Sequence, residues 1–165
     1  LMGVGSELVL QTVQAMIEGE VELRLQKSFI QGTEVIHEAP KISDELCNID
    51  FNDKAERIHN LVRGLSPYPG AFTTIVKDSE EALRLKIYAS EVIEIEKGIK
   101  PGTIISDGKN LLAIACEGDK ALKVLDLQRS GKKRMSVDAF LRGFRNPCDY
   151  SIIPGTSKSV LDSVK

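Results

Sequence analysis

The clearest apolar period in the chain falls between residues 50 and 72. Apolar residues there recur at spacings of three and four and predict a short amphipathic helix: Ala55, Ile58, Val62 and Leu65. Asp53 and Glu56 form a capping-box signature at its start, and Gly64 is expected to end it. Residues 66–70 (Ser-Pro-Tyr-Pro-Gly) predict a stiff turn, because each proline fixes its own φ and restricts the residue before it.

A second helix is predicted near the start, with Ser6 as its cap and Gly19 as its end. Its apolar face consists of Val9, Val13, Met16 and Ile17. Such a face packs either on a segment that precedes Leu1 or on the core of this chain, and we expect the former. A short strand over 21–25 and an extended connector around Pro40 follow, and 43–46 predict one helical turn.

Beyond Gly70 the pattern changes to alternation, which predicts β-strands over 71–76, 83–95, 103–106, 111–116 and 121–128. Asp107-Gly108 predicts a tight hairpin, and adjacent Val124-Leu125 predicts a bulge. Ser136 is expected to cap a last helix that stops at Gly143, and no element is predicted after Pro147 because no clear period continues there.

These elements predict a mainly β fold with flanking helices: a small open or closed OB-like barrel preceded by a helix and an extended linker. Strand count alone does not separate such a barrel from a sandwich. The chain has 165 residues, no run of eighteen apolar residues and no signal-peptide pattern at its start, so a cytoplasmic protein with no membrane partner is expected.

Charge is distributed unevenly. Residues 1–60 hold 11 acidic and 5 basic side chains, whereas residues 61–165 hold 17 basic and 13 acidic ones. Between Gln128 and Arg145 six basic residues face a single acidic one, Asp138. Such a segment either binds a polyanion by Coulomb attraction and counterion release or is simply a solvated charge run.

No catalytic or metal-binding pattern is recognisable. The chain has no P-loop, nucleophile elbow, complete dinucleotide fingerprint or zinc spacing, and its three cysteines lie far apart. We therefore expect no catalytic residue, no cofactor site and no metal in this chain. The strongest chemical signal is Leu127 to Ser136, where Lys132, Lys133 and Arg134 follow a glycine at the exit of a strand.

Several motifs, in order, resemble the C-terminal half of the methionyl-tRNA formyltransferase family, from Gly5 to about Arg145. The matching motifs are Ala39-Pro40-Lys41, Ile49-Asp50-Phe51, residues 58–63, residues 66–72, Pro101-Gly102-Thr103-Ile104, Ser106-Asp107-Gly108, and the segments within 127–136 and 140–143. The family commonly has Trp where this chain has Phe51, and the chain departs from the family pattern after Asn146.

This resemblance implies a parent enzyme that transfers a formyl group from 10-formyltetrahydrofolate to the methionyl amino group of initiator tRNA. The catalytic Rossmann-like N-terminal domain would precede Leu1 and would be a partner of this chain. The implied organisation is residues 1–26 as the end of that domain, 27–50 as linker, 51–146 as the OB-like domain and 147–165 as tail. Lys132, Lys133 and Arg134 are then the expected tRNA contacts, with Arg129 and Lys41 as further candidates.

Two alternatives remain at this point. Related formyltransferases or formyltetrahydrofolate hydrolases, which act on a nucleotide sugar or on folate, reuse a similar second domain. A free-standing RNA- or protein-binding barrel is the other alternative. The basic segment around Gly131 favours the tRNA enzymes, and the apolar face of the first helix argues against a free-standing module because it would remain exposed.

Overall fold

The computed structural model describes residues 2–29, 41–78 and 81–153. The chain divides into two compact units, Leu1–Ala39 and Pro40–Lys165. Residues 30–40 of the predicted linker and residues 154–165 of the predicted tail lie outside the described residues. The predicted domain boundaries stay predictions.

The first unit contains helix α1 (Met2–Glu18) and a 3₁₀ helix (Gln26–Phe29). Gly19, at a φ of +73°, follows the helix end as predicted. The predicted Ser6 cap is wrong, because the helix begins at Met2 and Ser6 lies inside it. The strand predicted over 21–25 is also wrong, since those residues adopt no regular structure. The four apolar residues of the predicted α1 face are exposed: Val9, Val13, Met16 and Ile17.

The α-helices of the second unit, within the described residues, are α2 (Asp44–Cys47), α3 (Ala55–Leu65) and α4 (Val137–Gly143). The predicted turn of α2 is confirmed, and the Ser43 hydroxyl accepts a hydrogen bond from the Leu46 amide. The buried face of α3 is the predicted one: Ala55, Ile58, Val62 and Leu65. Ser136 is the N-cap residue of α4, although its hydroxyl bonds the Asp138 carboxylate rather than a backbone amide.

The predicted ends of α3 are wrong in detail. Its N-cap residue is Lys54, which has no side-chain capping bond. The Asp53 carboxylate instead accepts a hydrogen bond from the Lys54 amide and pairs with Arg57 at 3.5 Å. Gly64 lies inside the helix rather than ending it, and the chain leaves the helix at Ser66.

The second unit is built around one sheet. Its seven strands among the described residues are β1 (Ala71–Val76), β2 (Leu83–Glu94), β3 (Ile104–Ser106), β4 (Leu112–Ala115), β5 (Lys120–Arg129), β6 (Met135–Ser136) and β7 (Ser151–Ile153). The strand order is β3-β4-β5-β2-β1-β7, and β6 pairs with β5. All of these pairings are antiparallel.

The five predicted strands are confirmed, whereas β6 and β7 were not predicted. The predicted bulge is also confirmed: Ala89 pairs with Asp126 and Ser90 pairs with Val124, so Leu125 is the extra residue. A second irregularity places Tyr88 opposite no residue of β5, between the pairs of Ile87 and Ala89. Such bulges increase the local twist and bend of a strand, which promotes closure of a sheet into a barrel.

The two ends of the sheet approach each other. The sulfur of Cys148, in the 3₁₀ helix Pro147–Asp149 just before β7, lies 4.0 Å from the carbonyl oxygen of Ser106 in β3. A Cβ atom added at Gly102 would lie 3.9 Å from Cβ of Ile152 in β7. The sheet is therefore a nearly closed barrel, and the predicted mainly β, OB-like fold with flanking helices is confirmed.

The three cysteines provide a chemical test of the core. Burial raises the pKa of the Cys116 thiol to about 11 and is the main cause that raises the pKa of Cys47. Cys148 is exposed. Since thiolates are the reactive species, we expect iodoacetamide at neutral pH to modify Cys148 alone in the folded protein and all three thiols in denaturant. Mass spectrometry after tryptic digestion measures this, and rapid native labelling of Cys116 would contradict the fold.

Candidate nucleic-acid interface

The predicted basic segment forms a β-hairpin. Strand β5 ends at Arg129 and β6 pairs back onto it, with Leu127 opposite Met135. Residues 130–134 connect the two strands and are called the basic turn here. Gly131 adopts a φ of +73°, and the Lys132 amide donates a 3.0 Å hydrogen bond to the Arg129 carbonyl. The turn is therefore fixed at its base by strand pairing.

A side-chain relay from β2 also supports the basic turn. The Tyr88 hydroxyl donates a hydrogen bond to Oε1 of Gln128 at 2.7 Å. The amide nitrogen Nε2 of Gln128 in turn donates to the Lys132 carbonyl at 2.7 Å. The first bond ends on the half-buried side chain of Gln128 and the second on the backbone carbonyl of Lys132. Neither bond therefore involves the charged groups of the basic turn.

The three cations of the basic turn are exposed but not equivalent. Lys132 and Lys133 have no ion pair among the described residues. Arg134 instead donates from Nε to Asp126 at 2.6 Å, and its guanidinium carbon lies 4.6 Å from the centroid of the Tyr88 ring. This hydrogen bond to the Asp126 carboxylate is the main cause that raises the pKa of Arg134. The two lysines are thus the cations available for an external anion.

The other two candidate residues occupy different places. Arg129 is exposed at the end of β5, and among the described residues it has no side-chain hydrogen bond or ion pair. It lines two cavities, one shared with Arg84 and one with Arg145. Lys41 is exposed at the first described position of the second unit, and no hydrogen bond or ion pair in the described ranges joins it to the other four.

Two cations and an aromatic ring on β2 lie beside the basic turn and form one surface with it. Arg84, Lys86 and Tyr88 alternate with the apolar residues Leu83, Leu85 and Ile87. Lys86 pairs with Gln128 across the sheet, and the Ser130 amide donates to the Arg84 carbonyl at 3.0 Å. Alternation placed these three side chains on one face, but the β2–β5 pairing was needed to bring them beside the basic turn.

The turn over 66–70 lies next to this surface. Lys86 donates to the Pro69 carbonyl at 2.8 Å, and Tyr68 between the two prolines is 88% exposed. An exposed aromatic ring beside several cations is a combination found in single-stranded nucleic-acid sites, where bases stack and phosphates pair.

Gly70 is the position at which this turn depends on glycine. Its φ is +86°, and a Cβ atom would lie 3.4 Å from both Lys86 Cδ and Tyr88 Cε1. We expect Gly70→Val to lower the free energy of unfolding by about 1 to 3 kcal/mol, because the left-handed backbone is strained for a β-branched residue. Urea unfolding measures the loss. The control is Gly64→Val, at an open helical position where little change is expected; equal stability of the two variants would reject the strain.

Other kinds of site are not formed by the described residues. They contain no group of three or more His, Cys, Asp or Glu side chains arranged to hold a metal ion. Within the same ranges, no helix combines the length and apolar character that crossing a membrane requires.

The fold and its surface define the protein as an OB-like β-barrel with a cationic surface over β2 and the end of β5. More specifically, the chain belongs to the formyl transferase C-terminal domain family, whose model matches residues 41–145. This match covers α2 to α4 and strands β1 to β6 and includes all five candidate residues.

Curated relatives carry a more specific name. The methionyl-tRNA formyltransferase of Bacteroides fragilis is 42% identical over 144 residues, which are 87% of this chain and 44% of that protein. Those of Parabacteroides distasonis and Bacteroides thetaiotaomicron are 36% and 40% identical over 152 residues, 92% of this chain and 47% of each relative. The chain thus spans about half the length of these relatives, and the resemblance found in the sequence is confirmed.

Proposed function

We propose that this chain is the tRNA-binding C-terminal portion of a methionyl-tRNA formyltransferase. The observation that carries the proposal is that a chain of this family presents two exposed lysines on a β-hairpin, Lys132 and Lys133, neither of which has an ion pair to any described residue. Such cations attract the phosphates of a polyanion and release its counterions without reading base sequence. The names of the relatives in the comparison favour tRNA as that polyanion.

The parent enzyme would transfer a formyl group from 10-formyltetrahydrofolate to the methionyl amino group of initiator tRNA in the cytoplasm. The cosubstrate and the reacting atoms would be held by an N-terminal catalytic domain, which is the second partner of this chain. Residues 1–26 would belong to that domain, residues 27–50 to the linker and residues 51–146 to the tRNA-binding barrel, with 147–165 as tail. The exposed apolar face of α1 is consistent with packing on a further domain.

Within this portion, Lys132 and Lys133 would contact the tRNA backbone directly. Arg129 lies at the strand end that begins the basic turn, without an acidic partner among the described residues, and would add a third contact. Arg134 would act mainly by orienting the turn, because Asp126 and Tyr88 already hold its guanidinium. Lys41 would make a contact of its own away from these residues.

A titration of the chain with initiator tRNA at several salt concentrations tests this function. We expect binding whose log K falls linearly with log salt concentration, with a slope of about −0.9 per neutralised phosphate. A nucleotide sugar and folate, titrated in parallel, are the controls for the related formyltransferases and hydrolases. Saturable binding of either small ligand without binding of tRNA would overturn the proposal.

A further inference from the structure

A small notch lies between β2 and the end of β5. It has a volume of about 280 Å³ and is lined by Arg84, Lys86, Gln128, Arg129, Ser130 and Gly131. That volume corresponds to roughly nine water molecules at about 30 Å³ each, which is room for a tetrahedral oxyanion with part of its hydration shell. Lys86 and Gln128, which both line the notch, are cross-strand partners.

The cations of the notch are held in place by contacts that leave donors free. Lys86 donates to the neutral Pro69 carbonyl at 2.8 Å, which uses one of its three N–H groups. Arg84 is stacked with its guanidinium carbon 3.3 Å from the centroid of the Phe72 ring. Its terminal nitrogen contacts Asp44 at 3.1 Å, and its Nε is buried without a partner among the described residues.

The Gln128 side chain, which also lines the notch, already has its hydrogen-bond partners. Gln128 accepts from Tyr88 and donates to the Lys132 carbonyl, so its amide has a fixed orientation. Arg129 adds a third cation at the rim. Among the described residues no carboxylate lines the notch, and of its three cations only Arg84 has an ion pair, with Asp44, so the notch matches an anion rather than a base or a neutral sugar. Arginine and lysine together are a usual pair for phosphate, since arginine supplies directed donors and lysine a point charge.

We propose that this notch binds one phosphate group of an RNA backbone, with Lys86, Arg129 and Arg84 as its cationic ligands. The assignment to RNA rests on the proposed function, whereas the affinity for phosphate rests on the notch alone. The notch and the basic turn share the end of β5, so one RNA strand would cross from Lys132 and Lys133 into the notch.

The first experiment follows backbone amides by ¹⁵N NMR during a titration with inorganic phosphate at constant ionic strength, with chloride as reference. We expect saturable shifts centred on Ser130 and Gly131 that disappear in the double variant Lys86→Gln, Arg129→Gln. The matched control is Lys97→Gln, Lys100→Gln, two exposed lysines in the loop beyond the far end of β2. Absence of localised shifts in the unmodified chain, or shifts that persist in the notch variant, would overturn the notch.

The second experiment separates the notch from the proposed function by titrating initiator tRNA against the same variants. Loss of one phosphate contact should make the salt slope shallower by about 0.9 in the notch variant and leave it unchanged in the control variant. If the notch variant binds tRNA with an unaltered salt slope, the notch does not bind the RNA backbone, and the proposed function still stands. A phosphate response in a chain that does not bind tRNA would instead reject the proposed function and the RNA assignment together.

Discussion

Replacing Lys132 and Lys133 together by Gln is expected to make the salt dependence of tRNA binding shallower by about 1.8 in the slope of log K against log salt concentration. The value follows from two lost phosphate contacts at about 0.9 each. Both side chains are exposed and lack ion pairs among the described residues, so their removal leaves no buried group without a partner. The folded state should therefore keep its stability, which a thermal unfolding curve measures.

Adding Arg134→Gln to this double variant distinguishes contact from support. Arg134 is bonded to Asp126 at 2.6 Å and stacked on Tyr88, so its loss should loosen the hairpin more than it lowers the slope. We expect the triple variant to gain less than 0.9 further change in slope and to unfold at a lower urea concentration than the double variant. A full additional 0.9 with unchanged stability would show that Arg134 is a phosphate contact like the lysines.

The residues of the candidate interface show why their arrangement was only partly predictable. The three cations after Gly131 are consecutive in the sequence, so counting charges along the chain was enough to predict their cluster. The partner of Arg134 is eight residues away across a hairpin whose second strand, β6, has only two residues and gives no period to detect. Arg84 and Lys86 lie on a strand whose alternation was recognised, but their proximity to Ser130 depends on the register of β2 against β5.

The fold was more predictable than its boundaries for a related reason. Burial on one face repeats over a whole element, so the positions of α3 and of the longer strands β1, β2 and β5 followed from many residues at once. The start of a helix depends instead on which hydrogen bonds one or two side chains make. Asp53 had the right spacing for a capping box, but its carboxylate accepts from the next amide and pairs with Arg57, while Glu56 pairs with Lys120 at the start of β5. Strand β7 was missed because no clear period continues after Pro147, whereas β3, also three residues long, lies beside the hairpin signal Asp107-Gly108.

The segment before α3 contains the family motif Ile49-Asp50-Phe51 and is hydrogen-bonded to the barrel at both of its ends. The Ile49 amide donates to the Phe72 carbonyl at 2.8 Å, and the Glu117 amide donates to the Asp53 carbonyl at 3.1 Å. This segment is therefore bonded at one end to the start of β1 and at the other to the turn between β4 and β5. Phe51 lies between these two attachments and is only 3% exposed.

Truncation of this ring should have the largest effect on stability of the substitutions considered. We expect Phe51→Ala to lower the free energy of unfolding by about 3 to 5 kcal/mol, because it removes buried apolar surface and leaves a cavity. That is a large share of the roughly 5 to 15 kcal/mol by which domains of this size are stable. At an m-value of about 2 kcal/mol per molar urea, a loss of about 4 kcal/mol moves the unfolding midpoint down by about 2 M.

The matched substitution Phe51→Leu separates the ring's volume from its position. Leucine fills part of the same space, so the expected loss is smaller, about 1.5 kcal/mol or less. An Ala variant that unfolds at the same urea concentration as the unmodified chain would mean that segment 48–54 does not pack on the barrel as described. The Phe51 side chain carries no charge and lies in the core, so it should stabilise the barrel without contacting tRNA. We therefore expect the Ala variant to lose stability but, below its unfolding transition, to bind tRNA with the same salt dependence as the unmodified chain.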